Sequence, residues 1–233
     1  MVAGSVELTI ERPRSAEDLI DEEEYEHDER LPYWAELWPS GRALAEALAA
    51  VPLAGARVLE LGCGLAIPAI VALAGGAQVL ATDWYPEALV FARANARRAG
   101  LRLETAVVDW RDPPPTLVER APFDLVVAAD VLYETRNVDA LLELLPRLVA
   151  PGGGAWIADP RRPDSTRLMD GLGELGWSHG VEAVPVACRR DESGPIVIIH
   201  RLARPALAAA ASPDRGKPAA GGWGRITVTD DPR

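Results

Sequence analysis

The chain is poor in cysteine and histidine, holding only Cys63 and Cys188, and His27, His179 and His200, among 233 residues. Neither set shows the paired spacing of a zinc site or a disulfide framework, which argues against metal and redox chemistry. The histidines are read as structural or solvated. Basic residues are in deficit, 24 against 35 acidic ones, and the net charge of -11 repels a phosphate backbone. A nucleic-acid partner is therefore not expected. No stretch reaches the ~18 uninterrupted apolar residues of a membrane span, and no basic segment followed by an apolar signal core opens the sequence. A soluble, cytoplasmic protein without a membrane partner is the expectation.

With 48% hydrophobic residues, the chain can bury one substantial core with modest appendages. Glu17–Glu29 carries nine acidic side chains in thirteen residues and reads as a solvated arm, so residues 1–31 are set apart. From Pro32 the segment PYWAELWPSG leads into Leu44, Leu48 and Val51 at helical spacing, with Pro39 in the first turn. Apolar runs at Arg57–Leu61, Gln78–Thr82, Leu103–Val108, Asp124–Ala129 and Ala155–Asp159 then alternate with helical periodicity. That alternation predicts an α/β, Rossmann-like, mostly parallel sheet with helices on both faces. Val181–Val186 and Pro195–Arg201 add an antiparallel C-terminal pair and bring the count to seven strands. The domain is drawn at 32–203, followed by an Ala/Pro/Gly-rich tail at 204–233, expected to be largely disordered, in which Ile226–Thr229 is the one strand-like run.

The first strand ends in LELGCGLA, Leu59–Ala66, where an acidic residue precedes a turn through Gly62 and Gly64 into a helix. Glycines there let the backbone approach a ligand, and the helix N-terminus offers free N–H groups. A dinucleotide fingerprint requires a small third residue where this sequence has Ile67, and a pyrophosphate is repelled by Glu60. A sulfonium or ammonium is attracted, so charge favours S-adenosylmethionine. Asp83 ends the second strand about twenty residues past the glycines, where a carboxylate can accept both hydroxyls of a ribose. Asp109 and Trp110 end the third, where they can read and stack on an adenine.

These residues resemble the class I, seven-β-strand S-adenosylmethionine-dependent methyltransferases over about Pro32 to Arg201. PYWAELWPSG and the DVLY motif, Asp130 to Tyr133, are most similar to the family-16 branch, which contains protein-lysine methyltransferases, including those acting on the electron-transfer flavoprotein β subunit. The resemblance implies that Trp38 lies against the cofactor and that Glu60, Gly62 and Gly64 surround its methionine part. It implies Asp83 on the ribose, Asp109 and Trp110 on the adenine, and Ala129 where the fourth strand passes the cofactor. Asp130 and Tyr133 match the pair facing the acceptor amine. Ala66 departs from the pattern, standing where a third glycine is common.

Methyl transfer from a sulfonium is an in-line displacement that needs no covalent protein nucleophile, only an oriented lone pair in a water-poor site. A lysine amine must first lose a proton, which at pH 7.5 costs roughly 4 kcal/mol. An ionised Asp130 raises the amine pKa, so its expected role is to select and orient. Tyr133 is expected to fix the lone pair by a hydrogen bond. A protein-lysine N-methyltransferase is the leading expectation. The alternatives are a methyltransferase of small-molecule amines or hydroxyls, and a catalytically silent module that binds a partner.

Overall fold

A computed structural model describes residues 6–16, 19, 31–186, 195–206 and 226–232. Most of the acidic run Glu17–Glu29, with His27, lies outside the described residues, as do 187–194, with Cys188, and 207–225 of the tail. The elements begin with β1 (Val6–Arg12), a 3-10 turn at Tyr33–Ala35 and α1 (Pro39–Ala49). The alternation follows as β2 (Arg57–Leu61), α2 (Ile67–Ala74), β3 (Gln78–Asp83), α3 (Pro86–Arg98), β4 (Glu104–Val107), α4 (Pro115–Glu119), β5 (Phe123–Ala129), α5 (Thr135–Leu148), β6 (Val149–Asp159) and α6 (Ser165–Glu174). Three strands complete it: β7 (Ser178–Pro185), β8 (Ile196–Ala203) and β9 (Ile226–Pro232). Prolines open α1, α3 and α4, where a fixed φ suits the helix and the missing N–H had no partner to lose.

Seven strands form the main sheet in the order β4-β3-β2-β5-β6-β8-β7, parallel except where β8 runs antiparallel to both β6 and β7. Side chains alternate across it. Val58 of β2 packs with Leu44, Leu48, Ile70 and Ala92 of α1, α2 and α3 on one face, whereas Leu59 and Leu61 pack with Leu141, Leu145, Leu168 and Leu172 of α5 and α6 on the other. Both faces are covered, which is why these strands read as continuous apolar runs. Because β2 lies between β3 and β5, successive crossovers diverge there and leave a crevice beyond the carboxyl ends of the central strands.

Strand limits differ from the expected ones chiefly at β6, which starts at Val149. Its register against β5 shifts between Phe123 and Leu125 as the chain passes Gly152, Gly153 and Gly154. The ends of the chain require a correction. β1, inside the segment read as a solvated arm, pairs in parallel with β9, inside the segment read as a tail, in a separate two-stranded sheet. Leu8 and Ile10 of β1 are buried in the core beside α1 and α3. The run at Ile226–Thr229 extends to Pro232 and joins β1, not the main sheet.

Two glycines make opposite predictions. A Cβ on Gly153 would lie 2.8 Å from the Asp124 carbonyl oxygen and 3.0 Å from that of Ala150, neither of which can rotate away. Gly153→Ala is expected to destabilise by about 1–3 kcal/mol. Gly173, inside α6 with open space around it, should gain about 0.5–1 kcal/mol on replacement by Ala. Urea denaturation of the two variants tests the pair, and equal stabilities would contradict the packing described.

Candidate functional site

The crevice is lined by all ten residues nominated from the sequence: Trp38, Glu60, Gly62, Gly64, Asp83, Asp109, Trp110, Ala129, Asp130 and Tyr133. They come from the ends of β2, β3, β4 and β5 and from the aromatic segment before α1. Gly62 and Gly64 hold φ of +65° and +49°. A Cβ on Gly62 would come within 3.2 Å of the Trp110 ring and of Val131, and one on Gly64 within 3.2 Å of the Trp34 carbonyl oxygen. Conformation and space both call for glycine. Between them Cys63 is buried, and burial pushes its thiol well above the usual range, so it is not an activated nucleophile.

Glu60 is buried, and its Oε2 accepts the Ala69 N–H at 2.9 Å in the first turn of α2. Ala66, the residue at the helix N-cap, has no side-chain cap to offer, so a carboxylate from β2 takes that part. Burial, with the Asp83 charge adding, holds Glu60 well above the ordinary carboxylate range. It therefore anchors the start of α2 from the floor of the crevice. Asp83 accepts N–H bonds from Gly64 at 2.8 Å and from Tyr85 at 3.0 Å, yet desolvation outweighs them and pushes its pKa up to about 6. The backbone N–H groups around it favour the charged form, so the raised value reflects burial and not a lack of partners.

Asp109 accepts the Arg111 backbone N–H at 2.9 Å and its guanidinium at 3.2 and 3.3 Å, and the same guanidinium lies 4.7 Å from the centre of the Trp84 ring. Trp38 donates from Nε1 to the Tyr33 carbonyl at 2.8 Å. Tyr33 meets Trp38 and Tyr133 edge to face, with ring centres 6.1 and 5.4 Å apart. These three aromatics are exposed and form the mouth of the crevice.

Asp130 follows β5 with φ of +57°, a left-handed conformation in which Asp is among the more tolerant residues. Its Oδ1 accepts Arg162 Nε and Nη2 at 3.2 and 2.9 Å, and its Oδ2 lies 3.4 Å from Ser40 Oγ. Arg162, in the loop after β6, is thus the partner of a carboxylate whose side chain is 6% exposed. Tyr133 leaves 44% of its surface open. Loss of solvent around the phenol, then the Glu134 charge, push it up to about 12, so it stays protonated at neutral pH.

Residues 53–183 match the family described as a methyltransferase domain, more than half of the chain. The chain belongs to the methyltransferase-domain family. Among similar proteins, the electron transfer flavoprotein β-subunit lysine methyltransferase of Xenopus laevis is 36% identical over 135 residues, 56% of this chain and 53% of that protein. A ubiquinone biosynthesis O-methyltransferase of Xylella fastidiosa is 31% identical over 113 residues, 48% of this chain and 45% of that protein. The chain thus spans about half the length of the curated relatives it matches. The magnesium protoporphyrin IX methyltransferase of Synechocystis PCC 6803, solved with bound S-adenosylmethionine, shares the fold with a TM-score of 0.56 at 16% identity, over 71% of this chain and 80% of that one.

Tyr33, Ser40 and Arg162 belong to the crevice or its support and were not nominated from the sequence. Ser40 and Arg162 reach Asp130 across 90 and 32 residues of chain, and no local pattern encodes such pairings. His179 and His200, read from the sequence as structural or solvated, sit diagonally across β7 and β8, His179 opposite Leu202 and His200 opposite Val181, with ring nitrogens 3.0 Å apart. Among the described residues no cluster of three or more metal-ligating side chains occurs, and no helix is long and apolar enough to cross a membrane. The Asp130–Arg162 pair generates a prediction: Arg162→Met should destabilise by about 1–3 kcal/mol, since it strips a buried carboxylate of its charged partner. Asp130→Asn should erase most of that loss when the two are combined. Urea unfolding of the four proteins of the cycle measures it, and strict additivity would mean that the pair is not coupled.

Proposed function

We propose that this chain is an S-adenosylmethionine-dependent methyltransferase whose acceptor is a protein lysine amine. The observation that carries the cofactor is Asp83, a buried carboxylate at the end of β3 that binds the Gly64 and Tyr85 N–H groups, beside a glycine turn overlaid by Trp110. The remaining lone pairs of Asp83 would accept the two hydroxyls of a ribose, and an adenine fits the Trp110 face. Asp109 lies next to that indole. Glu60 closes the floor on the side of the methionine part, and Ala129 leaves room where β5 passes. The bound cofactor would supply an electrophilic methyl group.

The protein's residues have an acceptor to orient and a proton to manage. Tyr133, protonated at neutral pH, offers the amine a hydrogen bond and cannot serve as a phenolate base. An isolated carboxylate beside the amine would raise its pKa and oppose deprotonation. The Arg162 guanidinium offsets the Asp130 charge, so the pair orients an amine with less of that penalty. An open aromatic mouth of Tyr33, Trp38 and Tyr133 supports an acceptor carried on a large partner, in contrast to a molecule enclosed within the crevice. The lysine methyltransferase relative supports the amine; the O-methyltransferase relative marks small hydroxyl acceptors as the competing outcome. Incubation with labelled S-adenosylmethionine and a proteome extract distinguishes them, since label in protein lysines supports the proposal and label only in small molecules removes the acceptor assigned here.

Two further measurements follow from the geometry. As pH falls through about 6, Asp83 takes up a proton, loses its charge and turns one acceptor oxygen into a donor, so affinity for S-adenosylhomocysteine should be level above pH 7. Below about 6 it should drop by up to tenfold per unit. Asp83→Asn should flatten that profile and weaken binding by about 1.5–3 kcal/mol. A pH-independent affinity in the parent, measured by calorimetry, would remove Asp83 from the ligand.

Asp130→Asn and Tyr133→Phe, in contrast, should lower turnover far more than cofactor affinity. Asp130→Asn should weaken acceptor binding by roughly 1.5–3 kcal/mol, and the loss of one hydroxyl in Tyr133→Phe should cost less. Steady-state kinetics with a methyl-accepting lysine peptide reads this, and parent-level turnover in both variants would take the pair out of the acceptor site.

A further inference from the structure

Asn95 lies on α3, outside the crevice, and is 1% exposed. Its Oδ1 accepts the Glu11 backbone N–H at 2.7 Å, while its Nδ2 donates to the Glu11 carbonyl at 3.1 Å and to the Leu65 carbonyl at 3.3 Å. Glu11 belongs to β1, and Leu65 directly follows Gly64, whose N–H is bound by Asp83. One side-chain amide thus ties the first strand of the chain to the glycine turn. A second tie runs from the next residue of β1. Arg12 pairs through Nε with Asp230 of β9 at 2.9 Å, and through Nη1 with Glu36 at 3.4 Å, a residue that lines the crevice between Tyr33 and Trp38. Arg98, one turn after Asn95, bridges Glu11 and Asp231 at 3.3 and 3.0 Å.

We propose that the two-stranded sheet of the chain ends is coupled to cofactor binding, with Asn95 and Arg12 as positioning residues that hold the Gly62–Ala66 turn and the Tyr33–Trp38 segment in their binding pose. The coupling rests on the cofactor reading above. Pairing β1 with β9 fixes Glu11 and Arg12; Asn95 and Arg12 then restrict the two segments of backbone that must not drift when a ligand is held between them. A buried amide with both its donors and its acceptor engaged holds one arrangement of its neighbours, since any displacement of β1 strands polar groups away from water. If the ends bias the turn, then by linkage a ligand on the turn must stabilise the ends by the same free energy. A purely structural clasp would not respond to the ligand.

Backbone hydrogen exchange of the full-length protein, with and without saturating S-adenosylhomocysteine, tests this without a variant. Exchange in residues 6–12 and 226–232 should slow by about fivefold or more on binding. Two variants read the same coupling from the other side. Asn95→Asp keeps the acceptor for the Glu11 N–H but cannot donate to Leu65, and Arg12→Gln changes a partly exposed side chain. Each should weaken ligand binding by about fivefold or more at a temperature where it is fully folded, and should shrink the protection of the ends. A parent that binds the ligand while exchange at both ends is unchanged, or folded variants that bind as tightly as the parent, would overturn the coupling alone. A parent that fails to bind at millimolar ligand would overturn the cofactor reading and the coupling with it.

Discussion

Asp83 brings a negative charge to the end of β3 where little water reaches it, and much of the surrounding backbone is arranged around that charge. The N–H of Gly64 points at one oxygen and the N–H of Tyr85 at the other, so the same carboxylate fixes the glycine turn and the start of the segment leading to α3. The turn cannot be relaxed without exposing that charge to an unpaired, low-dielectric setting. Gly64 is in turn pressed against the Trp34 carbonyl, which sets where the aromatic segment runs and hence where Trp38 and Tyr33 reach the mouth. One buried anion therefore relates the floor, wall and rim of the crevice.

The same logic extends to the other acids of the domain. Glu60, Asp130 and Asp159 are all buried beside the carboxyl ends of the central strands, and each has a different partner: a helix N-terminus, a guanidinium and a loop N–H. Asp159 keeps one oxygen without a partner, and burial raises its pKa. Arg162 touches two of these acids, through its guanidinium on Asp130 and its backbone N–H on Asp159. The net charge of the whole chain says little about this region, where the balance is settled pair by pair.

What could be read from sequence was whatever one strand end and its loop encode locally. The apolar runs, the prolines opening α1 and α3, the glycines of LELGCGLA and the acids at strand ends all sit within a few residues of the feature they signal. Their convergence on one crevice then follows from the parallel topology, not from any further motif. Arg162 on Asp130 and Asn95 on Glu11 were illegible because such contacts depend on how loops, strands and helices meet in the tertiary fold, 32 and 84 residues apart. β1 is a different case. VELTIER alternates with period two and buries Leu8 and Ile10, yet the neighbouring run of acids led the whole segment to be read as a solvated arm. Composition averaged over thirty residues hid a seven-residue strand.

The raised value of Asp83 also fixes the sign of its effect on folding. In the unfolded chain the group ionises near the ordinary carboxylate value, but in the folded chain only near about 6. As pH rises between those values the unfolded state loses its proton first, so stability falls through this window and the penalty is complete above about 6. Its size is on the order of 3 kcal/mol. The ligand-free domain thus carries at neutral pH a charge that opposes its own folding, and two hydroxyl donors arriving at that carboxylate would relieve the opposition. An asparagine there would shed the charge, but its amide nitrogen would face the N–H of Gly64 or of Tyr85 and one of the two bonds would be lost. Holding the glycine turn through both oxygens therefore requires the carboxylate and brings its penalty with it.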